Sequence, residues 1–415
     1  MSSDSQIQPP PDPADVAVER ALHAVRQGKI VVVVEDVSDG GSVFAALPGQ
    51  YATAAVVNEL ATHARGIVGA TMTFARADAL HCQALERKRA PASLPRYGIS
   101  IEAARGTSTG ISAADRSLTV QLAADPAATA ADFVRPGHIM PILVPIRGCL
   151  ERAYGPEAAH DLTLLAGLQP CAAVSHVLDG LDPLLPENAE RFCEVRGWPM
   201  VRVSQVVAYR THHERLVHVV SEGPVETQQG PFQIRIYESD IDGESHIALL
   251  RDSPERAVGS VPLVRLHSQC LTGDILHSRR CDCGAQLAES MERIAKYGHG
   301  AIVYLRQEGR GIGLVQKIRA YALQDQGSDT VDANLQLGFA PDERDYAVAA
   351  QILRDLDMTE IALLTNNPHK ITALRQLGIQ IVRREPIVVQ PTADNIRYLQ
   401  TKRDRMGHWL DPAQG

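Results

Sequence analysis

The sequence predicts two mixed α/β (α+β) domains, the second carrying a three-cysteine zinc site. Three observations lead there. The chain has 415 residues, enough for two cores of ordinary size. β-Branched runs alternate with amphipathic stretches along it, the pattern of mixed α/β folds. Three of its seven cysteines, Cys270, Cys281 and Cys283, fall within one segment, C-L-T-G-D-I-L-H-S-R-R-C-D-C-G.

Composition narrows the classes. An apolar share of 45% with 22% charged residues is that of an ordinary globular protein. The net charge of −8 gives no support to a nucleic-acid partner held by phosphate contacts, although a local basic pocket remains compatible with a small anion. The longest apolar run, Ile30 to Val34, is too short to span a bilayer, and no leader-like segment opens the chain. A cytoplasmic protein without a membrane partner is expected. Cys82, Cys149, Cys171 and Cys193 are scattered among apolar neighbours and read as buried thiols of a reducing compartment.

In chain order, residues 1–13 are polar and proline-rich and read as a disordered tail. A first domain follows over 14–215. Val18, Ala21, Leu22 and Val25 mark a helix over Ala14–Gln27, and Ile30–Val34 reads as a strand buried on both faces. Further helices are predicted over Ala54–Thr62 and His160–Leu168, with a strand over Gly66–Thr71. Residues 216–224, polar and ending in Gly223-Pro224, read as a linker to a second domain over 225–415.

In that domain, strands are predicted over Phe232–Tyr237 and His246–Leu250, and a third over Val261–Leu266 leads to Cys270. Leu287, Met291 and Ile294 give a helix ending at Gly298, and Ala301–Leu305 is a strand. Arg306-Gln-Glu-Gly-Arg-Gly-Ile-Gly313 then opens a helix with Leu314, Ile318 and Tyr321 or Ala322 on its apolar face. A glycine-rich turn entering a helix presents backbone N–H groups to phosphate. Asp342 and Asp345 read as caps of a helix through Leu356. Ile361–Leu364 is a strand, Lys370 starts a helix, and Thr401–Gly407 reads as a basic, exposed end.

The chemistry centres on the cysteines. Thiolate sulfur is a preferred zinc ligand, and three protein ligands leave the fourth tetrahedral position open for water. A closed structural site, with His267 or His277 as fourth ligand, is the alternative.

Arg265-Leu266-His267-Ser268-Gln269-Cys270, Arg280-Cys281-Asp282-Cys283-Gly, Arg306-Gln-Glu308-Gly309-Arg310 and Thr365-Asn-Asn-Pro-His-Lys370 resemble GTP cyclohydrolase II, from about Val225 to the T-K-R-D-R-M-G-H-W-L tail. The resemblance implies ring opening of GTP with release of formate and pyrophosphate, giving a diaminopyrimidine precursor of riboflavin. It implies one zinc on Cys270, Cys281 and Cys283, magnesium with the triphosphate, and a homodimer. It implies Asp342 as proton acceptor, Arg344 as nucleophile and Tyr321 as a further catalytic residue. Arg265, Leu266, His267, Ser268, Gln269, Gln286, Glu308, Gly309, Arg310, Thr330, Thr365 and Lys370 match substrate-binding positions, with Glu308 facing the guanine edge. One departure is Gln269, where the family carries Glu; the amide keeps an acceptor and loses the charge.

The first domain resembles 3,4-dihydroxy-2-butanone 4-phosphate synthase, through Tyr97–Glu102, Thr107–Arg116 and Arg135-Pro-Gly-His138. The family's acidic loop, D-D-E-D-R-E-N-E-G-D, is here the shorter Glu35-Asp36-Val-Ser-Asp39-Gly-Gly-Ser42. Its G-H-T-E-A appears as Tyr154-Gly155-Pro156-Glu157-Ala158, and the acid of its C-E segment as His176. Such residues hold magnesium and move protons, so this domain is expected to be degenerate and inactive, retained as a platform.

Overall fold

The computed structural model describes residues 13–36, 41–85, 95–254, 259–326, 329–339, 344, 346–387, 389–390, 395–405 and 407–409. The chain divides into two compact units, Met1–His213 and Glu214–Gly415. No helix among the described residues is long and apolar enough to cross a membrane.

In the first unit the strands are β1 (Val31–Val34), β2 (Val43–Pro48), β3 (Gly69–Thr73), β4 (Ile101–Ala103), β5 (Phe133–Val144), β6 (Ala172–His176), a small hairpin of β7 (Leu178–Asp179) and β8 (Asp182–Pro183), and β9 (Met200–Arg202). The helices are α1 (Pro13–Arg26), α2 (Ala54–Ala64), α3 (Phe74–Ala79), α4 (Ala113–Ala124), α5 (Gly155–Leu165), α6 (Ala189–Arg196) and α7 (Val203–His213). Seven strands form one mixed sheet in the order β4-β5-β3-β6-β2-β1-β9. The four valines of β1 are buried, as the run predicts. Val32 and Val34 face a core shared with α2, while Val31 and Val33 face one shared with α1, α5 and α7. Alternation along one strand thus serves helices on both faces. The predicted helix over His160–Leu168 begins five residues earlier, at Gly155, with Pro156 in its first turn. Proline suits that position because the N–H it lacks has no partner within the helix.

In the second unit the strands are β10 (Val217–Thr227), β11 (Gly230–Ser239), β12 (Ser245–Asp252), β13 (Leu263–Ser268), β14 (His299–Leu305), β15 (Glu360–Leu364) and β16 (Gln380–Glu385). The helices are α8 (Cys283–Tyr297), α9 (Gly313–Asp325), α10 (Thr330–Gln336), α11 (Ala347–Asp355), α12 (Pro368–Gln376) and α13 (Ile396–Asp404). The sheet order is β10-β11-β12-β14-β13-β15-β16. The strands β14, β13, β15 and β16 pair in parallel, and the remaining pairs are antiparallel.

The expected linker over 216–224 is instead part of β10, paired with β11 from Val217–Ser239 to Thr227–Gly230. Its polar residues are exposed, as suits an edge strand, and an edge tolerates Pro224, which cannot donate to a ladder.

The parallel strands place the site. After β13 the chain goes to β14 on one side and then to β15 on the other. Ligand crevices form at the carboxyl ends of strands where the order reverses in this way. Leu263 of β13 packs in the core that includes Ile294 of α8, whereas Val264 and Leu266 join the core of α11 and α12. Alternation then directs Arg265 to the α8 side, where its guanidinium meets Gln286 of that helix.

Candidate active site and metal centre

Loops leaving β13, β14 and β15 surround a cavity of about 960 Å3. Beyond β13, the chain makes one wide turn over Leu271–Ile275. This brings Cys270 back towards Cys281 and Cys283 at the start of α8. The three sulfurs lie within 4.8 Å of one another, forming the single such convergence of three or more potential ligands among the described residues. Cys270 and Cys281 are 3.7 Å apart, Sγ to Sγ. Tetrahedral zinc with sulfur at roughly 2.3 Å requires about 3.8 Å between sulfurs, so the donor set fits that metal. Gly273 makes the packing possible, since a Cβ there would lie 2.8 Å from the Cys281 sulfur and 3.1 Å from that of Cys270.

Neither His267 nor His277 joins the three sulfurs. The His267 Nε2 meets Asp274 Oδ1 at 3.1 Å, and burial pushes the ring's pKa down. Asp274 is the clasp of this turn. It also accepts the Cys270 backbone N–H at 2.9 Å and the Tyr304 hydroxyl at 2.9 Å. No histidine among the described residues completes a Cys3His set at the three sulfurs.

The Cys270 thiol is held well below its ordinary pKa, first by hydrogen bonds from Cys281 and Cys283, with the Lys317 charge adding to the effect. Lys317 Nζ lies 3.2 Å from the Cys270 sulfur and 2.7 Å from Glu308 Oε1. Tyr321, one turn further along α9, sets its hydroxyl 3.3 Å from that of Thr272, and burial raises its pKa.

The predicted apolar face of α9 is not the buried one. Leu314, Val315 and Ile318 are exposed, while Lys317 and Ala320 are buried. The glycine-rich turn is the reason. It forms a separate short 3-10 turn over Glu308–Gly311 in which Gly309 (φ 63°) and Arg310 (φ 64°) are both left-handed. For arginine this is an uncommon conformation of the kind that clusters at functional sites. After it, α9 starts in a phase that turns Lys317, Tyr321 and Gln324 towards the cavity.

Glu308 lines the cavity as well. Its carboxylate accepts the N–H groups of Leu271 (2.6 Å) and Gly309 (3.0 Å) and pairs with Lys317. It braces the metal turn.

Other predicted residues share the cavity wall. Arg265, His267, Ser268, Gln269 and Gln286 line the cavity, as do Gly309, Arg310, Arg344, Thr365 and Lys370. Leu266 does not; its side chain is in the core, and its carbonyl accepts Lys370 Nζ at 2.8 Å. Asp342 and Asp345, the Thr330 side chain, and Asp39 of the first unit lie outside the described residues. The helix predicted from Asp342 begins at Ala347.

The basic end is not simply exposed. Lys402 is buried and pairs with Asp282 at 2.6 Å. Burial lowers His408 to about 3, helped by the nearby charges of Lys402, Arg344, Lys370 and Arg310. Four cations thus crowd one stretch of the wall, an arrangement suited to a polyphosphate. Lys317, Lys402, Asp274 and Asp282 escaped the sequence reading. For Lys317 a signal existed, since it precedes Tyr321 by one helical turn.

In the first unit, Glu35 accepts the N–H groups of Gly155 (2.9 Å) and Ser42 (3.0 Å). Glu157 pairs with Arg152. The rings of His176 and Phe44 lie 4.1 Å apart. A Cβ on Gly155 would lie 2.2 Å from Phe44 Cδ2. The retained Ser112 caps α4 through the Asp115 N–H at 3.0 Å, and His138 Nδ1 meets Glu102 at 2.8 Å.

The chain matches the GTP cyclohydrolase II family over residues 217–386 and the 3,4-dihydroxy-2-butanone 4-phosphate synthase family over 19–209. It is 44% identical over 398 residues to the riboflavin biosynthesis protein RibBA of Chlamydia trachomatis serovar D, covering 95% of this chain and 93% of that protein. It is 41% identical over 399 residues to RibBA of Aquifex aeolicus, covering 94% and 97%. Among solved structures, RibBX, a two-domain 3,4-dihydroxy-2-butanone 4-phosphate synthase from A. baumannii, is 26% identical with a TM-score of 0.65, covering 90% of this chain and 99% of that one. These comparisons do not support the expected degeneracy of the first domain, since the synthase family model matches it over residues 19–209 and the relatives named RibBA align along nearly the whole chain. The chain belongs to the RibBA family of riboflavin biosynthesis proteins, with a 3,4-dihydroxy-2-butanone 4-phosphate synthase domain followed by a GTP cyclohydrolase II domain.

Proposed function

We propose that the second domain is a zinc-dependent GTP cyclohydrolase II that opens the guanine imidazole ring, releasing formate and pyrophosphate. The product is 2,5-diamino-6-hydroxy-4-(5-phosphoribosylamino)pyrimidine. The observation that carries this reading is the convergence of three thiols in a cavity also lined by cations, Arg310, Arg344 and Lys370 among them. Cys270, Cys281 and Cys283 would hold zinc, which would lower the pKa of a bound water and so supply the stronger nucleophile that carbon 8 of guanine, a poor electrophile, requires. Arg310, Arg344 and Lys370 bind and orient the triphosphate, with magnesium neutralising part of its charge. The Tyr321 hydroxyl, protonated at neutral pH, offers a hydrogen bond to the opening ring. Asp342 as proton acceptor and Arg344 as nucleophile rest on the family resemblance.

Gln269 favours a second reading, in which pyrophosphate leaves but reaction stops at a formylated product for another pathway. Incubation with GTP, Mg2+ and Zn2+, reading formate, pyrophosphate and product mass together, tests both. Pyrophosphate without formate would select the second reading, and neither would remove the cyclohydrolase assignment.

The first domain, on this proposal, does not make dihydroxybutanone phosphate. The support is chemical. Glu35 is committed to backbone N–H groups, Glu157 to Arg152, and the Phe44 ring fills the space a side chain at 155 would need. The relatives favour the contrary reading of a working domain. Ribulose 5-phosphate with excess Mg2+ decides between them, because formate release at a rate comparable to the GTP reaction would establish the working domain.

A further inference from the structure

We propose that Lys402, on the carboxyl-terminal helix, is a positioning residue for the turn that carries two of the three thiolates. The proposal rests on the cyclohydrolase reading above. Asp282 is the residue between Cys281 and Cys283 and occupies the N-cap of α8, yet its side chain makes no capping bond to that helix. An N-cap aspartate ordinarily spends its carboxylate there. Here Oδ1 accepts Lys402 Nζ at 2.6 Å and Oδ2 accepts Gln286 Nε2 at 2.6 Å. The carboxylate is almost wholly buried, with 2% of the side chain exposed.

The bonds continue beyond the turn. Gln286 Oε1 accepts Arg265 Nη2 at 2.7 Å, and Arg265 Nη1 donates to the Leu364 carbonyl at 3.1 Å. One buried chain therefore runs from α13, through the residue between two sulfurs, to the middle of β13 and the end of β15.

Charge makes Lys402 necessary to it. A buried carboxylate beside three thiolates is unfavourable unless a cation is fixed at the same place. The helix bearing that cation is itself tied down. Arg405 pairs with Asp332 at 3.1 Å, and the Trp409 N–H donates to the Asn366 carbonyl at 2.9 Å. Lys402 thus acts on the metal through Asp282, and α13 is a working part of the site.

The test uses the full-length, zinc-loaded chain with Lys402→Met, Lys402→Arg, Asp282→Asn and the Lys402→Met/Asp282→Asn double variant. Zinc affinity is read without GTP by competition with a chromophoric chelator, and kcat and KM for GTP are read separately. Lys402→Met is expected to weaken zinc binding and lower kcat by at least about tenfold each, the scale of losses around metal ligands. KM should change by less than about threefold, Lys402→Arg should recover most of the loss, and the double variant should be no worse than the worse single one. Zinc affinity within about twofold of the parent chain, or a loss confined to KM, overturns the proposal and leaves Lys402 a phosphate contact. Where Lys402→Met fails to fold, as its thermal melt reveals, Asp282→Asn alone carries the test, and unchanged zinc affinity there overturns it equally. Absence of zinc or formate release in the parent chain would instead sink the cyclohydrolase reading, before any variant is compared.

Discussion

The Lys317 ammonium stands between a thiolate and a carboxylate, 3.2 Å from the Cys270 sulfur and 2.7 Å from Glu308 Oε1. Burial opposes its charge, but the Glu308 hydrogen bond and the Cys270 charge prevail and raise its pKa above the ordinary lysine value. Lys317→Met leaves a carboxylate of low exposure without its cation, costing about 3 kcal/mol of stability. Formate release should fall by at least about tenfold, and Lys317→Arg should keep the stability better than the activity. Chemical unfolding and a formate assay on both variants check this.

Cys281→Ser removes one of three soft donors and lowers ligand affinity for zinc. The expected outcome is loss of metal in elemental analysis and loss of formate release, with the far-ultraviolet circular dichroism kept. Full formate release would show that the sulfurs are not catalytic. Outright unfolding would make the metal structural.

Gln269 lines the cavity one residue before Cys270, its backbone N–H held by the Leu305 carbonyl at 2.8 Å. Gln269→Glu restores a charge in the same volume. It should raise kcat/KM for GTP by up to about tenfold, or roughly 1.4 kcal/mol. An unchanged rate and product mass would mark Gln269 as a neutral replacement.

His160 gives the first domain a pH dependence. Burial lowers its pKa to about 4, and its Nδ1 meets the Thr71 hydroxyl at 3.1 Å. Above roughly pH 6.5 the ring is neutral folded or unfolded. Below it the unfolded chain binds the proton first, so stability falls as pH drops towards 4. Between pH 7 and 5 the His160 contribution should decline by about 2 kcal/mol. Urea unfolding of the parent chain against His160→Gln isolates this share, and parallel pH profiles would refute it.

Gly155→His, the replacement that restores the family residue, should destabilise the first domain by about 2 kcal/mol because Phe44 occupies its space. It should not create ribulose 5-phosphate turnover. A raised melting temperature would show that Phe44 moves aside at no cost.

Where side-chain periodicity and backbone demands agree, the sequence was readable. The β1 valines, the α8 helix with its Gly298 stop, and the C-x-C convergence all follow from local chemistry. What was not readable depends on long-range pairing. Lys402 and Asp282 are 120 residues apart, and nothing near either announces the other. The face of α9 was misjudged because two left-handed residues before it reset its phase. Residues 216–224 looked like a linker because an edge strand, half solvated, has a linker's composition.

That edge strand decides where the two domains can be cut apart. A chain begun at Val225 would lack most of β10 and leave β11 with an open row of N–H and C=O groups, a template for pairing with another copy. A chain begun at Glu214 would keep the strand and its fastenings, the Arg215–Asp355 ion pair at 2.6 Å and the Leu216 N–H to Gln351 bond at 3.1 Å. Self-association of the shorter fragment would therefore be an artefact of the cut and no measure of what the first domain contributes.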